Sequence, residues 1–497
     1  MKRYRDYRGV ARPVGFVVMG LGVAIAACAA AGWAFNAAMP PLESSHQGGE
    51  IALGIASAIS LVLGLVLFTY GGRYASEVPT RREAMLAVAM IWTAAMVIGA
   101  LPFVIGAGMD VPDALFESVS GLTTTGATVI TDIETRLSRP LLLWRSLLQW
   151  LGGMGIVVLF VAVFPNIGAG GKYMFGEEVP GTSAEGLRPR IAETSRVLYQ
   201  FYIFFTVLEI GVLWLLGMSP FEAICHAFTT MSTGGFSTRD ASIAAFQDER
   251  IEFTLAGFML LASVNYGLFF AALRGRTLRV FVRSAEFKSF VTVVLVASVL
   301  MTFVLLGYKD GNIYESFRYS FFMVATIISS TGYGIDEYMT YPAFALAIIL
   351  SLMFMGGCAG STAGGIKVER FVLMTKLAWT ELRRSFRPNL VHVVRMGRSV
   401  VSQAALTDVS VFIVVYLGSL GALTGIITAL EAVSLPQAFG SSLTCLSNMG
   451  PAPFHGQSDS FAAYSTVSKI CFSIAMLLGR LEFFAVLALL VPDFWKR

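Results

Sequence analysis

The sequence predicts an all-α polytopic membrane protein. Four pseudo-repeats of helix, re-entrant half-helix, polar loop and helix surround a central axis, and a two-helix hairpin precedes them. Three observations carry that prediction. Of the 497 residues, 56% are hydrophobic and only 14% charged, with a mean hydropathy of +0.70, whereas soluble domains carry about 25% charge. Apolar windows of roughly 20 residues, long enough to cross a hydrocarbon core, recur along the chain and suggest about 10 transmembrane helices. A short polar run ending in glycine is written four times: Thr123–Gly126, Ser232–Gly235, Ser329–Gly332 and Ser447–Gly450. The alternating segments of about 10 residues that would mark a β-barrel are absent.

Taken in order, a basic start (Lys2, Arg3, Arg5, Arg8, Arg12) leads into Val14–Ala38, a first span that is retained rather than cleaved. Val14–Ala38 and Ile51–Gly72 form a hairpin through Pro40–Ser44, giving an N-terminal unit of residues 1–75. Repeat one, 76–170, contains the span Ala84–Ala107, then Val111–Leu122, then Leu141–Phe164. Val111–Leu122 is too short to span, and Pro112 marks its start, so it reads as re-entrant. Repeat two, 171–275, reads Thr194–Leu216, Pro220–Met231 and Phe253–Leu273. Repeat three, 276–398, reads Phe287–Gly307, Ile313–Ile328 and a helix from Ala343 onward. Repeat four, 399–497, reads Leu406–Leu430, Pro436–Leu446 and Ala462–Val491. The repetition is one of pattern rather than of residue identity.

Charge sorts by side. Lys and Arg of the N-terminus, of Arg73–Arg82, Lys172–Arg196, Arg274–Lys288 and Lys376–Arg398, and of Lys496 and Arg497 fall together, which makes that side cytoplasmic. The opposite side carries Asp110, Asp113, Glu117, Asp132, Glu134, Glu222, Asp240, Asp248, Glu249, Asp310, Glu315, Asp336, Glu337, Glu431 and Asp459, and all four polar runs. Such a mouth would concentrate cations. The five cysteines stand singly in apolar surroundings and the four histidines are scattered, so neither offers a metal-ligand spacing.

A cation leaving water needs replacement oxygens, which backbone carbonyls at the end of a re-entrant helix supply. The helix C-terminus adds partial negative charge, and glycine permits the dihedrals that turn successive carbonyls inward. No carboxylate lies within the runs, which points to a monovalent ion. The candidate ion-binding residues are Thr124, Thr125 and Gly126; Ser232, Thr233 and Gly234; Ser330, Thr331 and Gly332; and Asn448, Met449 and Gly450. Any single run reads more simply as a helix C-cap; four at matching positions favour a filter. Ser330–Gly334 also echoes the Thr-Val-Gly-Tyr-Gly filter of potassium channels.

Two features suggest a gate. Gly356, Gly357, Gly360, Gly364 and Gly365 interrupt a helix within Met355–Lys367, as a flexible plug or as close helix packing through small residues. A phosphate-binding loop is excluded by the missing Lys-Ser/Thr ending and preceding strand. Arg480 lies in an apolar segment, either as an electrostatic brake in an ion path, or in a pair with Glu482 or another acid, or snorkelling. Lys469 and Arg145 either tie down the polar loops through acids or snorkel at an interface.

At these residues the chain resembles the TrkH branch of the Trk/Ktr/HKT superfamily of potassium transporters. The matching stretches are Gly121–Thr128, Trp150–Ile156, Met231–Thr238, Ser329–Gly334, Gly356–Lys367, Ser447–Pro451 and Leu478–Glu482, spread over nearly the whole chain. The N-terminal hairpin suits TrkH rather than the shorter KtrB. The resemblance implies a fourfold pore with filter glycines at Gly126, Gly234, Gly332 and Gly450, a gating loop at Gly356–Gly365 and a pore arginine at Arg480. It implies K+ as the transported ion, with Na+ and Rb+ as further candidates, and no organic cofactor. It also implies a homodimer in the bacterial inner membrane, with both termini cytoplasmic, and a cytosolic nucleotide-binding regulatory partner like TrkA. No nucleic-acid partner is expected. The basic segments Lys172–Arg196, Arg274–Lys288 and Lys376–Arg398 are candidate docking surfaces. Ser447-Asn448-Met449 departs from the hydroxyl-rich pattern, which would make one filter quadrant unlike the rest. Competing readings are K+ symport coupled to H+ or Na+, for which Glu482 is the available titratable group, and a membrane-embedded enzyme, for which no cluster of His, Asp or Cys is evident.

Overall fold

The computed structural model describes residues 7–38, 48–74, 80–153, 155, 187–387, 393–396, 399–450, 452–454 and 460–495. The Pro40–Ser44 connection, the end of Leu141–Phe164 and most of the basic segment Lys172–Arg196 lie outside them.

Ala11–Ala38 and Gly49–Gly72 pack as the expected hairpin. Small residues let their backbones touch: a Cβ on Gly15 would run into Gly64 O, and one on Gly64 into Gly15 O. Four outer helices follow, Arg81–Gly106, Leu187–Leu215, Ala285–Leu306 and Gln403–Leu430. Each precedes a half-helix: Val111–Leu122, Pro220–Met231, Ile313–Ile328 and Leu435–Ser447. The half-helices start where local chemistry directs. Ser219, Asn312 and Ser434 accept hydrogen bonds from the backbone N–H groups of Glu222, Glu315 and Gln437. Proline opens the first, second and fourth, where its missing N–H costs nothing.

The returning helices differ from expectation. Phe253–Leu273 is not continuous: Glu249–Ala262 and Tyr266–Gly275 meet at 83°. Asn265 receives the Gly267 N–H on its side chain at 2.8 Å, so the second piece begins as a new helix. Ala462–Val491 also divides, into Thr466–Arg480 and Phe484–Leu490. Glu482 and Phe483 stand between them at φ 53° and 65°, and the buried Phe483 ring packs on Phe412 and Tyr416 at centroid distances of 5.6 and 6.1 Å. Aromatic packing holds this conformation against its strain. Ala343–Phe354 stops at the glycine-rich segment, and Val368–Phe386 resumes beyond it. Arg139–Gly153 is the first repeat's described counterpart. Breaks in the second, third and fourth of these segments shorten their pieces. Among the described residues, six helices are therefore long and apolar enough to cross a membrane, or seven if the bent pair counts as one span. A two-stranded antiparallel ladder, Arg395–Met396 with Ser399–Val400, is a small addition to an otherwise helical fold.

Candidate functional site

The half-helices end alike. Thr124, Thr233, Ser330 and Asn448 take the left-handed conformation, at φ 55°, 57°, 59° and 51°. A few per cent of non-glycine residues do so. Four at equivalent places is a shared turn. The next residue in each loop, Thr125, Gly234, Thr331 and Met449, donates its N–H back to Ser120, Thr229, Thr326 and Thr444 O at 2.9, 2.9, 3.0 and 3.1 Å. By this register Gly234 sits at the position of Thr125 and Thr331, while Gly235 matches Gly126 and Gly332. Those three glycines have φ of 76°, 82° and 88°, which a side chain would oppose.

The loops converge on one axis. A Cβ on Gly126 would collide with Gly234 O, and one on Gly235 with Thr331 O. One on Gly450 would lie 3.4 Å from Thr125 O and 3.5 Å from Gly332 Cα. Each loop is braced differently. Thr123 and Thr125 share a hydroxyl hydrogen bond of 2.7 Å, as do Ser329 and Thr331. In the second loop Gln149 donates to Gly234 O at 2.8 Å and accepts from Phe236 N at 3.1 Å. In the fourth, Asn448 Nδ2 donates to Thr125 Oγ1 at 3.1 Å and Met476 O at 2.8 Å. Asn448 thus takes over the role of a missing hydroxyl. The phenol of Tyr333, in the third loop, meets Thr229 Oγ1 at 2.6 Å and donates to His226 O at 3.1 Å, on the second half-helix.

Two basic residues anchor this layer from outside. Arg145, 2% exposed, pairs with the fully buried Glu117 at 2.6 Å. It also donates to Ser237 O at 3.0 Å and stacks 3.4 Å from the Phe236 ring centre. Glu117 in turn accepts from Val129 N at 3.1 Å, just past the first loop. Lys469 pairs with Asp113 at 2.7 Å. The tethering alternative holds for both. The negative mouth is weaker than the sequence suggested. Asp113, Glu117, Glu134, Glu222, Asp248, Glu249, Glu315 and Asp336 all stand in ion pairs, several with outer basic residues such as Arg239, Arg250 and Lys309. At the mouth, the Arg250 side chain beside Asp248 holds that carboxyl down at about 2.

Beneath the loops lies Met355–Lys367. Gly365 N donates to Ser447 O at 2.7 Å, and Gly364 N to Ser330 Oγ at 2.6 Å. Thr362 Oγ1 donates to Met231 O at 3.1 Å. The segment therefore touches the second, third and fourth half-helix ends. Lys367 donates to Ala363 O, and Ala359 N to Glu286 at 2.5 Å. Arg480 is the last residue of its helix rather than a mid-helix residue. It donates to Thr362 O at 3.1 Å, Gly152 O at 2.6 Å and Gly153 O at 2.8 Å, bridging three repeats. Glu482 pairs instead with Arg370. Gln149, Gly235 and Asn265 were not singled out by the sequence. Of these, Gly235 was legible as the second glycine of its run.

Four half-helices directing their C-termini at one axis, inside a shell of apolar helices, define a four-repeat polytopic membrane protein with re-entrant loops at its centre. The family profile described as TrkH cation transport protein matches residues 54–496. The Trk system potassium uptake protein TrkH of Salmonella typhimurium is 38% identical over 449 residues, 88% of this chain and 91% of that protein. The potassium uptake protein TrkG of Escherichia coli is 33% identical over 84% of this chain and 86% of its own length. The crystal structure of the potassium transporter TrkH from Vibrio parahaemolyticus superposes with a TM-score of 0.88 at 31% identity, covering 99% of this chain and 100% of that one. The chain belongs to the TrkH family, a family of transport proteins and not of enzymes.

Proposed function

We propose that this protein carries K+ inward across the bacterial inner membrane, by channel-like passage through the four loops and down the electrochemical gradient. The observation that carries the reading is the shared left-handed turn at Thr124, Thr233, Ser330 and Asn448, which brings four half-helix C-termini to one axis. Aligned helix ends and carbonyls favour a cation and replace its water. Dipoles, rather than ring carboxylates, suit a monovalent ion. The family's description as cation transport proteins, and the potassium uptake names of its relatives, agree with this.

In this reading Thr124–Gly126, Ser232–Gly235, Ser330–Gly332 and Asn448–Gly450 form the filter. Gly356–Gly365, hydrogen-bonded beneath them, is the gate, and Arg480 adds a positive charge that slows passage. The protein acts as a homodimer with both termini cytoplasmic. The basic segments Arg274–Lys288 and Lys376–Arg398 face a cytosolic nucleotide-binding regulator.

The test is flux of K+, Rb+ and Na+ into liposomes holding the purified protein, with and without that regulator. Selective K+ and Rb+ entry that follows voltage is expected. A reversal potential that shifts with pH at fixed K+ would replace passive passage by coupled transport, and absence of K+ entry in every condition would overturn the reading.

A further inference from the structure

Behind the second loop, off the axis, lies a buried carboxylate that none of the interactions above involves. Glu209, on Leu187–Leu215, is fully buried. Neither of its carboxylate oxygens has a hydrogen-bond partner among the described residues. Tyr266 Oη, likewise fully buried, has none of good geometry either, and lies beside Thr362. The two groups lie close enough to interact electrostatically, and Thr230 lies beside the Glu209 carboxylate. The Thr230 hydroxyl donates to His226 O at 2.8 Å and lies 3.3 Å from the Tyr333 hydroxyl, so at least one of its oxygen lone pairs stays available. Among the described residues no Lys or Arg pairs with Glu209.

A carboxylate in an apolar interior without donors or a counter-charge is among the costliest groups a fold can hold. We propose that Glu209, Thr230 and Tyr266 form an internal site for a small monovalent cation, with Na+ the ion of first choice. Carboxylate and hydroxyl oxygens are hard ligands that suit such ions. A single formal negative charge balances one positive charge. Tyr266 belongs to the apolar cluster that contains Tyr202 and Met231, so the surroundings offer such an ion few competing ligands. It also lies between the second loop and the interrupted segment. Thr230 is two residues before Ser232 of the second loop, and Tyr266 N donates to Gly360 O of the interrupted segment at 3.3 Å. An ion here would stiffen both.

The test is thermal unfolding of the purified full-length protein in detergent, with NaCl replacing choline chloride at constant ionic strength. The wild type is expected to show a melting temperature that rises saturably with Na+. Glu209→Gln, close to isosteric, is expected to lose that rise. Tyr266→Phe, which removes one oxygen, is expected to need about tenfold more Na+, the factor a lost ligand worth about 1.4 kcal/mol gives. A wild type indifferent to Na+, or a Glu209→Gln protein that responds as wild type does, overturns the proposal and leaves Glu209 as a neutral acid. If Glu209→Gln does not fold, Tyr266→Phe decides alone, and an unchanged Na+ midpoint overturns it. The readout needs no ion flux, so it stands or falls independently of the transport reading.

Discussion

Arg145 and Arg480 both reach the helix Arg139–Gly153, one as a residue at its middle and the other as a visitor at its end. Arg145 is met by a full carboxylate at 2.6 Å. Arg480 meets the carbonyls of Gly152, Gly153 and Thr362. A carboxylate neutralises a guanidinium and fixes it, whereas carbonyl dipoles hold one through hydrogen bonds. The difference makes the outer arginine a structural tie and leaves the inner one for the brake proposed above. It also separates two layers: loops braced by hydroxyls, Gln149 and Asn448, and below them a level where the returning helices break.

The largest effect is expected from Arg145→Met. It strands the fully buried Glu117, and loss of one partner of a buried pair costs about 3–5 kcal/mol. Thermal unfolding in detergent checks this, and Arg145→Met/Glu117→Gln should recover much of the loss. A single variant that melts with the wild type would remove the structural role. Next, Gly235→Ala should lower K+ over Na+ selectivity in liposome flux by about tenfold or more, equivalent to about 1.4 kcal/mol of site distortion. Gly126→Ser and Gly332→Ser should do the same. Gly234→Ala should do less to the turn, because Gly234 occupies the position that Thr125 and Thr331 fill with side chains, but its Cβ would push aside the Gln149 amide that braces this loop. Equal losses at Gly234 and Gly235, with selectivity unchanged in Gln149→Ala, would break the register argument.

Arg480→Ala should raise K+ flux severalfold while leaving the melting temperature closer to wild type than Arg145→Met does. Unchanged flux across voltages would end the brake reading. The smallest effect belongs to the mouth. Asp248 accepts the Arg250 N–H at 2.8 Å and caps Glu249–Ala262, so Asp248→Ala should cost about 1 kcal/mol. The Arg250 side chain lowers this carboxyl from the usual 3.8 to about 2. Its contribution is therefore complete above pH 3.8 and fades as pH falls through 2, a loss that Asp248→Asn should not show. Solvent exposure keeps that share small.

Much of this was legible along the chain. The hairpin, the outer helices and the half-helices follow from apolar length, proline placement and caps, which are local properties. Thr123–Gly126, Ser329–Gly332 and the glycine-rich Met355–Lys367 stood out because polar or flexible residues interrupt apolar sequence. The break at Glu482–Phe483 was not legible. Its flanks are apolar and a helix is their default; only the ring contacts of Phe483 with Phe412 and Tyr416, about seventy residues away, hold it open. The bend at Ser263–Asn265 needed Asn265 to be read as a cap in an otherwise continuous apolar stretch.

The sequence by itself determined a membrane-embedded, four-repeat helical protein with four glycine-ended turns, because hydropathy, helix starts and turn chemistry act over a few residues. Tertiary structure decided the rest. It put Gly235 rather than Gly234 in register with Gly126 and Gly332, gave Arg145 to Glu117 and Glu482 to Arg370, and laid Met355–Lys367 under three of the four helix ends. Those choices depend on distances between segments from tens to more than a hundred residues apart, and in an apolar interior most polar groups must find their partners there rather than in water.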